Sequence, residues 1–187
     1  MNQPAVRLMH YDPRWRQEFR QTKSSLLQSC MGWVTAVEHV GSTAIEGLIA
    51  QPIIDVFAVV NVNASENPED NPFGRASDLI EGLNFAKSDL PNWALTKGGE
   101  NQVVVVLEKP RHRNPTHRVF LVQDTWKVWQ QAIGIRDRLR ADRDLAFRFE
   151  ETKVARWRSG DGDPSKYESD KSIFFTHLID QIDSHPI

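Results

Sequence analysis

The sequence predicts an α+β fold, a mixed β-sheet flanked by helices with a helical C-terminal third. Three observations lead there. Apolar residues recur with both helical and alternating spacing up to residue 122, and with helical spacing alone from residue 124 onward. The two strongest strand patterns are joined by a stretch too short for a parallel crossover, which calls for a mixed sheet. The length of 187 residues and the 40% hydrophobic content suit one domain with a sizeable core. The expected organisation is a single domain over 1–187, with the sheet in 1–123 and a helical part in 124–187.

The elements follow in order. Asp12-Pro13 is a helix start, and Trp15, Phe19, Leu26 and Leu27 give 13–29 an apolar stripe. Residues 34–40 alternate as a strand that Gly41-Ser42-Thr43 breaks, opening a short helical turn that ends near Gly47. Residues 53–60 form a strand apolar on both faces apart from Asp55, the pattern of a sheet centre. The polar, proline-punctuated stretch 61–73 predicts a loop, 75–82 a helix, and 88–101 irregular chain. Strands are expected at 103–107 and 116–122 around a basic turn at 109–115. Trp126, Trp129, Ile133 and Leu139 mark a helix over 124–142, followed by helices over 143–158 and 164–182.

Charge narrows the function classes. The formal net charge is -2 and the sequence pI is about 6.3, which argues against an extended nucleic-acid track. Mean hydropathy is -0.49, and no stretch approaches the ~20 apolar residues of a membrane span. The N-terminus lacks the apolar centre of a signal peptide, and the single cysteine, Cys30, forms no intrachain disulfide. A cytoplasmic protein is expected. The small total conceals an asymmetry: residues 109–143 hold nine basic side chains against three acidic ones, a local +6. Seven of the nine are arginine, whose planar fork suits phosphate and carboxylate oxygens. A solvated, ion-paired face is the plainer account of such a run.

One segment carries more chemical information than the rest. Glu38-His39-Val40-Gly41-Ser42-Thr43-Ala44 reads as a strand running into a Gly-Ser turn, and Pro52-Ile53-Ile54-Asp55-Val56 as a strand bearing one acid. Backbone N–H groups and a hydroxyl at such a turn can hold phosphate oxygens. An acid on the neighbouring strand can hold a divalent cation against that phosphate. An ordinary turn beside a paired Asp is the alternative, but a carboxylate inside an apolar strand is costly unless paired or metal-bound.

These residues resemble the signature of the nucleotidyltransferase (DNA polymerase beta-like) superfamily. Across nearly the whole chain they resemble, more narrowly, the GrpB (glutamate-rich protein B, UPF0157) family. The wider match adds Tyr11-Asp12-Pro13-Arg14-Trp15 with Phe19, Gly47-Leu48, Thr116-His117, Arg136-Asp137-Arg138-Leu139-Arg140, Lys153, and Tyr167 with Lys171. The resemblance implies a short mixed sheet flanked by helices, with no defined reaction. It also exposes two departures. Active nucleotidyltransferases carry two acids two residues apart on this strand, where they share Mg²⁺; the second position here is Phe57. A Thr-His-His-hydrophobic-His strand of the family reads Thr116-His117-Arg118-Val119-Phe120 in this chain.

The candidate site follows from both readings. Asp55 is the expected Mg²⁺ ligand and, with His117, a catalytic residue; His117 is a metal ligand or general base, or else a hydrogen-bonded residue at a strand end. Gly41, Ser42, Thr43 and His39 are expected at the phosphate. Arg136 and Arg140 share one helix face and form either a polyanion clamp or a salt-bridged surface. Arg118, and by resemblance Lys153 and Lys171, are expected to add ligand contacts. The expected function is binding of a nucleotide or other phosphorylated small molecule, with Mg²⁺-dependent nucleotidyl or phosphoryl transfer. The alternative is a non-catalytic ligand-binding or regulatory domain. A further carboxylate near Asp55, from Glu100 or Glu108, would favour the enzyme.

Overall fold

The computed structural model describes residues 6–67, 69–89, 105–110, 114–160 and 163. The expected helix over 164–182, Lys171 and Glu100 lie outside the described residues.

The elements are α1 (Arg14–Ser29), β1 (Val34–Val40), a 3-10 turn (Ser42–Ala44), β2 (Ile54–Val60), α2 (Pro72–Glu81), β3 (Ala86–Ser88), β4 (Val105–Lys109), β5 (His117–Val122), α3 (Lys127–Ala141) and α4 (Arg143–Ser159). Asp12 serves the first helix as expected in kind: its Oδ1 accepts the Arg14 N–H at 2.9 Å. The helical cap position itself is Pro13. The second helix begins earlier than its apolar pattern suggests. Asn71 accepts from the Gly74 N–H at 3.0 Å and Pro72 opens the first turn, repeating the acid-or-amide plus proline signal of Asp12-Pro13. The break between the last two described helices falls at Asp142, whose Oδ1 accepts from Leu145 N–H at 2.9 Å. Strand β3, three residues long, has no alternating pattern to betray it.

The sheet order is β1-β2-β5-β4-β3, with β2 and β5 parallel and the other neighbours antiparallel. The sheet is therefore mixed, with β2 and β5 central, as the unbroken apolar run 53–60 requires. Alternation divides its side chains between two cores. On one face Val37, Val56, Ala58, Val119 and Leu121 pack with Trp15 and Leu26 of α1 and Ala76 and Ile80 of α2. On the other, Val40, Phe57, Val59, Phe120 and Val122 meet Trp129, Ala132 and Ile133 of α3. A third cluster joins Ile45 and Leu48 of the β1–β2 connection to Ile135, Leu139, Ala146 and Phe149 of the α3–α4 hairpin. No helix among the described residues is long and apolar enough to cross a membrane.

Candidate functional site

Strand register lines up three charges from three strands. Asp55 of β2 stands opposite Arg118 of β5, and Arg118 opposite Glu108 of β4. Arg118 Nε donates to Glu108 Oε1 at 2.7 Å, and Arg118 Nη1 lies 3.8 Å from Asp55 Oδ1. Glu108 also accepts from Ser88 Oγ at 3.0 Å. The side chains of Asp55, Arg118 and Glu108 are 16%, 19% and 25% exposed, so solvent still reaches the row. One step deeper on the same face, the Phe57 ring packs against Phe120 at 5.3 Å and Trp129 at 6.4 Å. The position of a second acid is thus filled by core.

Gly41 closes the end of this row. Its backbone, φ 74° and ψ −174°, lies in a region open to glycine and little else. A Cβ there would stand 2.9 Å from Asp55 Oδ2, so the carboxylate rests directly on the glycine. The 3-10 turn of Ser42–Ala44 follows, with Ile45 N–H closing onto Ser42 O at 3.2 Å.

Thr43 and His39 fasten the turn from below. Thr43 Oγ1 donates to Ile53 O at 3.0 Å, across to the start of β2. Its contact with His39 Nε2, also 3.0 Å, therefore takes the ring's N–H, which places the imidazole proton on Nε2. The His39 ring stacks on Phe19 at 4.7 Å. Burial, and then the charges of Arg140 and Arg136, push its pKa down to about 3, so it is neutral near pH 7. His39 is thus enclosed by α1, the turn and the sheet.

His117 stands apart from Asp55. It pairs with Ile54, one residue out of phase, so its side chain leaves the sheet on the α1–α2 face while Asp55 and Arg118 leave on the other. Its Nδ1 is 2.9 Å from Thr116 Oγ1, which itself donates to Lys109 O at 3.2 Å. Burial and then the Lys109 charge push its pKa down to about 4.

Two arginines of the basic window, Arg136 and Arg140, reach from α3 to the backbone around the turn, while Lys127, Arg138 and Arg143 stay exposed. Arg136 Nη1 donates to Glu38 Oε2 at 2.6 Å and to His39 O at 3.1 Å, and its Nε to Asp137 Oδ1 at 2.7 Å. Burial works against the Arg136 charge, but the Asp137 and Glu38 hydrogen bonds outweigh it and leave its pKa raised. Arg140 Nε and Nη2 both donate to Ala44 O, at 3.1 and 2.8 Å. Burial, then repulsion from Arg136, lowers the Arg140 pKa. On α4, Glu150 Oε2 accepts the Ile49 N–H at 2.5 Å and Lys153 Nζ donates to Ile49 O. Arg136, Arg140 and Lys153 thus bind the backbone around the turn. Glu150 had no sequence signal beyond lying three residues before Lys153, and Ser88 none beyond its polarity; Glu38 lies in the informative segment before the Gly-Ser turn, but its partner Arg136 was not legible.

A mixed five-stranded sheet flanked by helices, with a Gly-Ser turn seated on an acid of the adjacent strand, is the α+β class of protein that the family resemblance implies. A family profile described as GrpB protein matches residues 5–181, and the chain belongs to that family. The glutamate-rich protein GrpB of Alkalihalophilus pseudofirmus is 27% identical over 192 residues, covering 97% of this chain and 98% of its own. A UPF0157 protein of Streptomyces coelicolor is 28% identical over 178 residues, 89% of this chain and 78% of its own. A UPF0157 protein of Halalkalibacterium halodurans is 40% identical over 62 residues, a stretch spanning 33% of this chain and 32% of that protein. The crystal structure of the conserved protein GrpB from Enterococcus faecalis superposes with a TM-score of 0.72 at 21% identity, covering 94% of this chain and 96% of its own.

Proposed function

We propose that this chain binds a nucleotide or another phosphorylated small molecule at the Gly41-Ser42-Thr43 turn, as a binding domain without two-metal transfer chemistry. The observation that carries this reading is the Arg118 guanidinium, held between Asp55 and Glu108 beside the turn. A phosphate approaching Gly41 meets the Asp55 carboxylate, and some cation must screen it. In nucleotidyltransferases that resemble this chain, Mg²⁺ on two acids does so. Here the donor set does not fit Mg²⁺: Asp55 already faces a guanidinium, and Phe57 stands where the second acid belongs. Arg118 supplies the screening charge instead, and its charge is permanent. Arg136, Arg140 and Lys153 act one layer back by fixing the backbone that presents the turn.

A second reading keeps the transfer chemistry. Glu108 meets the same guanidinium as Asp55, so a second carboxylate stands within one side chain of the first. Thermal-shift measurements with ATP, GTP and inorganic phosphate, each with and without Mg²⁺, separate the two. At a ligand concentration of 100 times Kd, the wild type gains about 2.7 kcal/mol. That corresponds to roughly 5–10 °C for a chain of this size. The expected result is a shift that needs no Mg²⁺ and disappears in Arg118→Gln. A shift that appears only with Mg²⁺ and is lost in Asp55→Asn overturns the binding-domain reading in favour of transfer. No shift with any of the three compounds overturns both.

A further inference from the structure

We infer that Arg118 is a built-in cation occupying a place that Asp55 and Glu108 would otherwise offer to a divalent metal ion. The native chain accordingly rejects divalent cations there, and loss of the guanidinium admits one. The inference deepens the proposed function, on which it rests for the role of the row.

The geometry supports it in three ways. First, the row alternates acid, base, acid across β2, β5 and β4, with the base central. With strands ~4.8 Å apart, the Cα atoms of Asp55 and Glu108 stand roughly 9.6 Å from each other, a gap that one Asp and one Glu side chain can close over a single ion. Second, each acid has a neighbour other than Arg118 that limits its movement: Asp55 Oδ2 lies close against the Gly41 backbone, and Glu108 accepts from Ser88 Oγ at 3.0 Å. The carboxylates therefore keep their places when the guanidinium is removed. Third, two carboxylates left facing each other in a site only 16% and 25% exposed repel one another and gain most by sharing a cation. An all-oxygen donor pair favours hard ions such as Mg²⁺ or Mn²⁺ over softer ones. A tethered guanidinium that cannot deprotonate is always present at the site, and a free ion must displace it to bind.

The test is titration calorimetry with MnCl₂ alone, on the wild type, Arg118→Ala and Arg118→Gln. The single substitutions are also combined with Asp55→Asn and with Glu108→Gln. The expected result is one Mn²⁺ bound by the Arg118 variants at least about tenfold more tightly than by the wild type, with the gain lost in both combinations. Equal affinity in wild type and variants overturns the inference. So does folded Arg118→Ala or Arg118→Gln protein, judged by circular dichroism, that binds no Mn²⁺. Failure of both variants to fold overturns it as well, since the acids would then depend on the guanidinium for their places. A Mg²⁺-independent nucleotide shift in the wild type leaves the proposed function standing whichever way the Mn²⁺ titration falls.

Discussion

Replacing Gly41 by alanine tests the geometry of the site most directly. The substitution costs energy in two ways. The backbone at φ 74° and ψ −174° disfavours any side chain, a strain of about 1–3 kcal/mol. The new Cβ would also stand 2.9 Å from Asp55 Oδ2, and turning the carboxylate away from its preferred rotamer costs about 0.5–1.5 kcal/mol. Together these give about 3 kcal/mol, or roughly 6–12 °C in midpoint temperature for a chain of this length. Urea unfolding and a thermal melt measure both. The second contribution is separable. In an Asp55→Ala background the nearest remaining contact, with the Cβ of residue 55 at 3.5 Å, is ordinary van der Waals distance. A double-mutant cycle should therefore return a coupling of about 1 kcal/mol between positions 41 and 55. A loss below about 1 kcal/mol in Gly41→Ala, or an identical loss with and without Asp55, refutes the contact between the turn and the acid.

Other expectations follow from the same neighbourhood. His39 and His117 both titrate lower in the folded chain, at about 3 and about 4, than the 6.5 of the unfolded chain, so folding sheds protons. Stability is then complete above pH 6.5 and declines as pH falls from there toward the folded values. Between pH 7.5 and 5.5 the pair should cost about 2.7 kcal/mol of unfolding free energy, read from urea melts, and His39→Gln should remove about half of that slope; a flat profile contradicts it. Thr43→Val strands the His39 N–H and the Ile53 carbonyl in the interior and should lose about 2 kcal/mol, while Thr43→Ser should lose less than half as much. Arg136→Met removes the donor to Glu38 Oε2 and to the His39 carbonyl and should destabilise by about 2 kcal/mol; a change under about 0.5 kcal/mol would remove Arg136 from the scaffold.

Some features were legible in sequence because they are local. The order of elements, the mixed sheet and the break at Asp142 follow from apolar spacing and from caps that lie within three residues of what they cap. Pro72 shows the limit of that procedure. Its signal equals that of Pro13, yet the polar loop around it masks the start of α2. The proximity of Gly41 to Asp55 and of Thr43 to His39 was legible, since their strands are neighbours and the turn between them is short. The partners of the arginines were not legible. Arg136 meets Glu38 across 98 residues and Arg140 meets Ala44 across 96, and no spacing rule reports such pairs. The face of His117 was open to mistake for another reason. A strand's own alternation says which residues share a side, but only its register against β2 says which side that is.

The ties between the α3–α4 hairpin and the turn have a consequence for the order in which the molecule becomes itself during synthesis. His39 O, Ala44 O and both polar groups of Ile49 are met by residues 136, 140, 150 and 153. A ribosome making about 5–20 residues per second leaves this loop without those partners for several seconds after it emerges. Its final shape is thus written by the last described helices. Because they grip main-chain atoms, the half-buried side chain at 49 can change without loosening the hold, whereas Arg140, Glu150 and Lys153 cannot. A chain cut after β5 would retain all five described strands and still lack a finished turn.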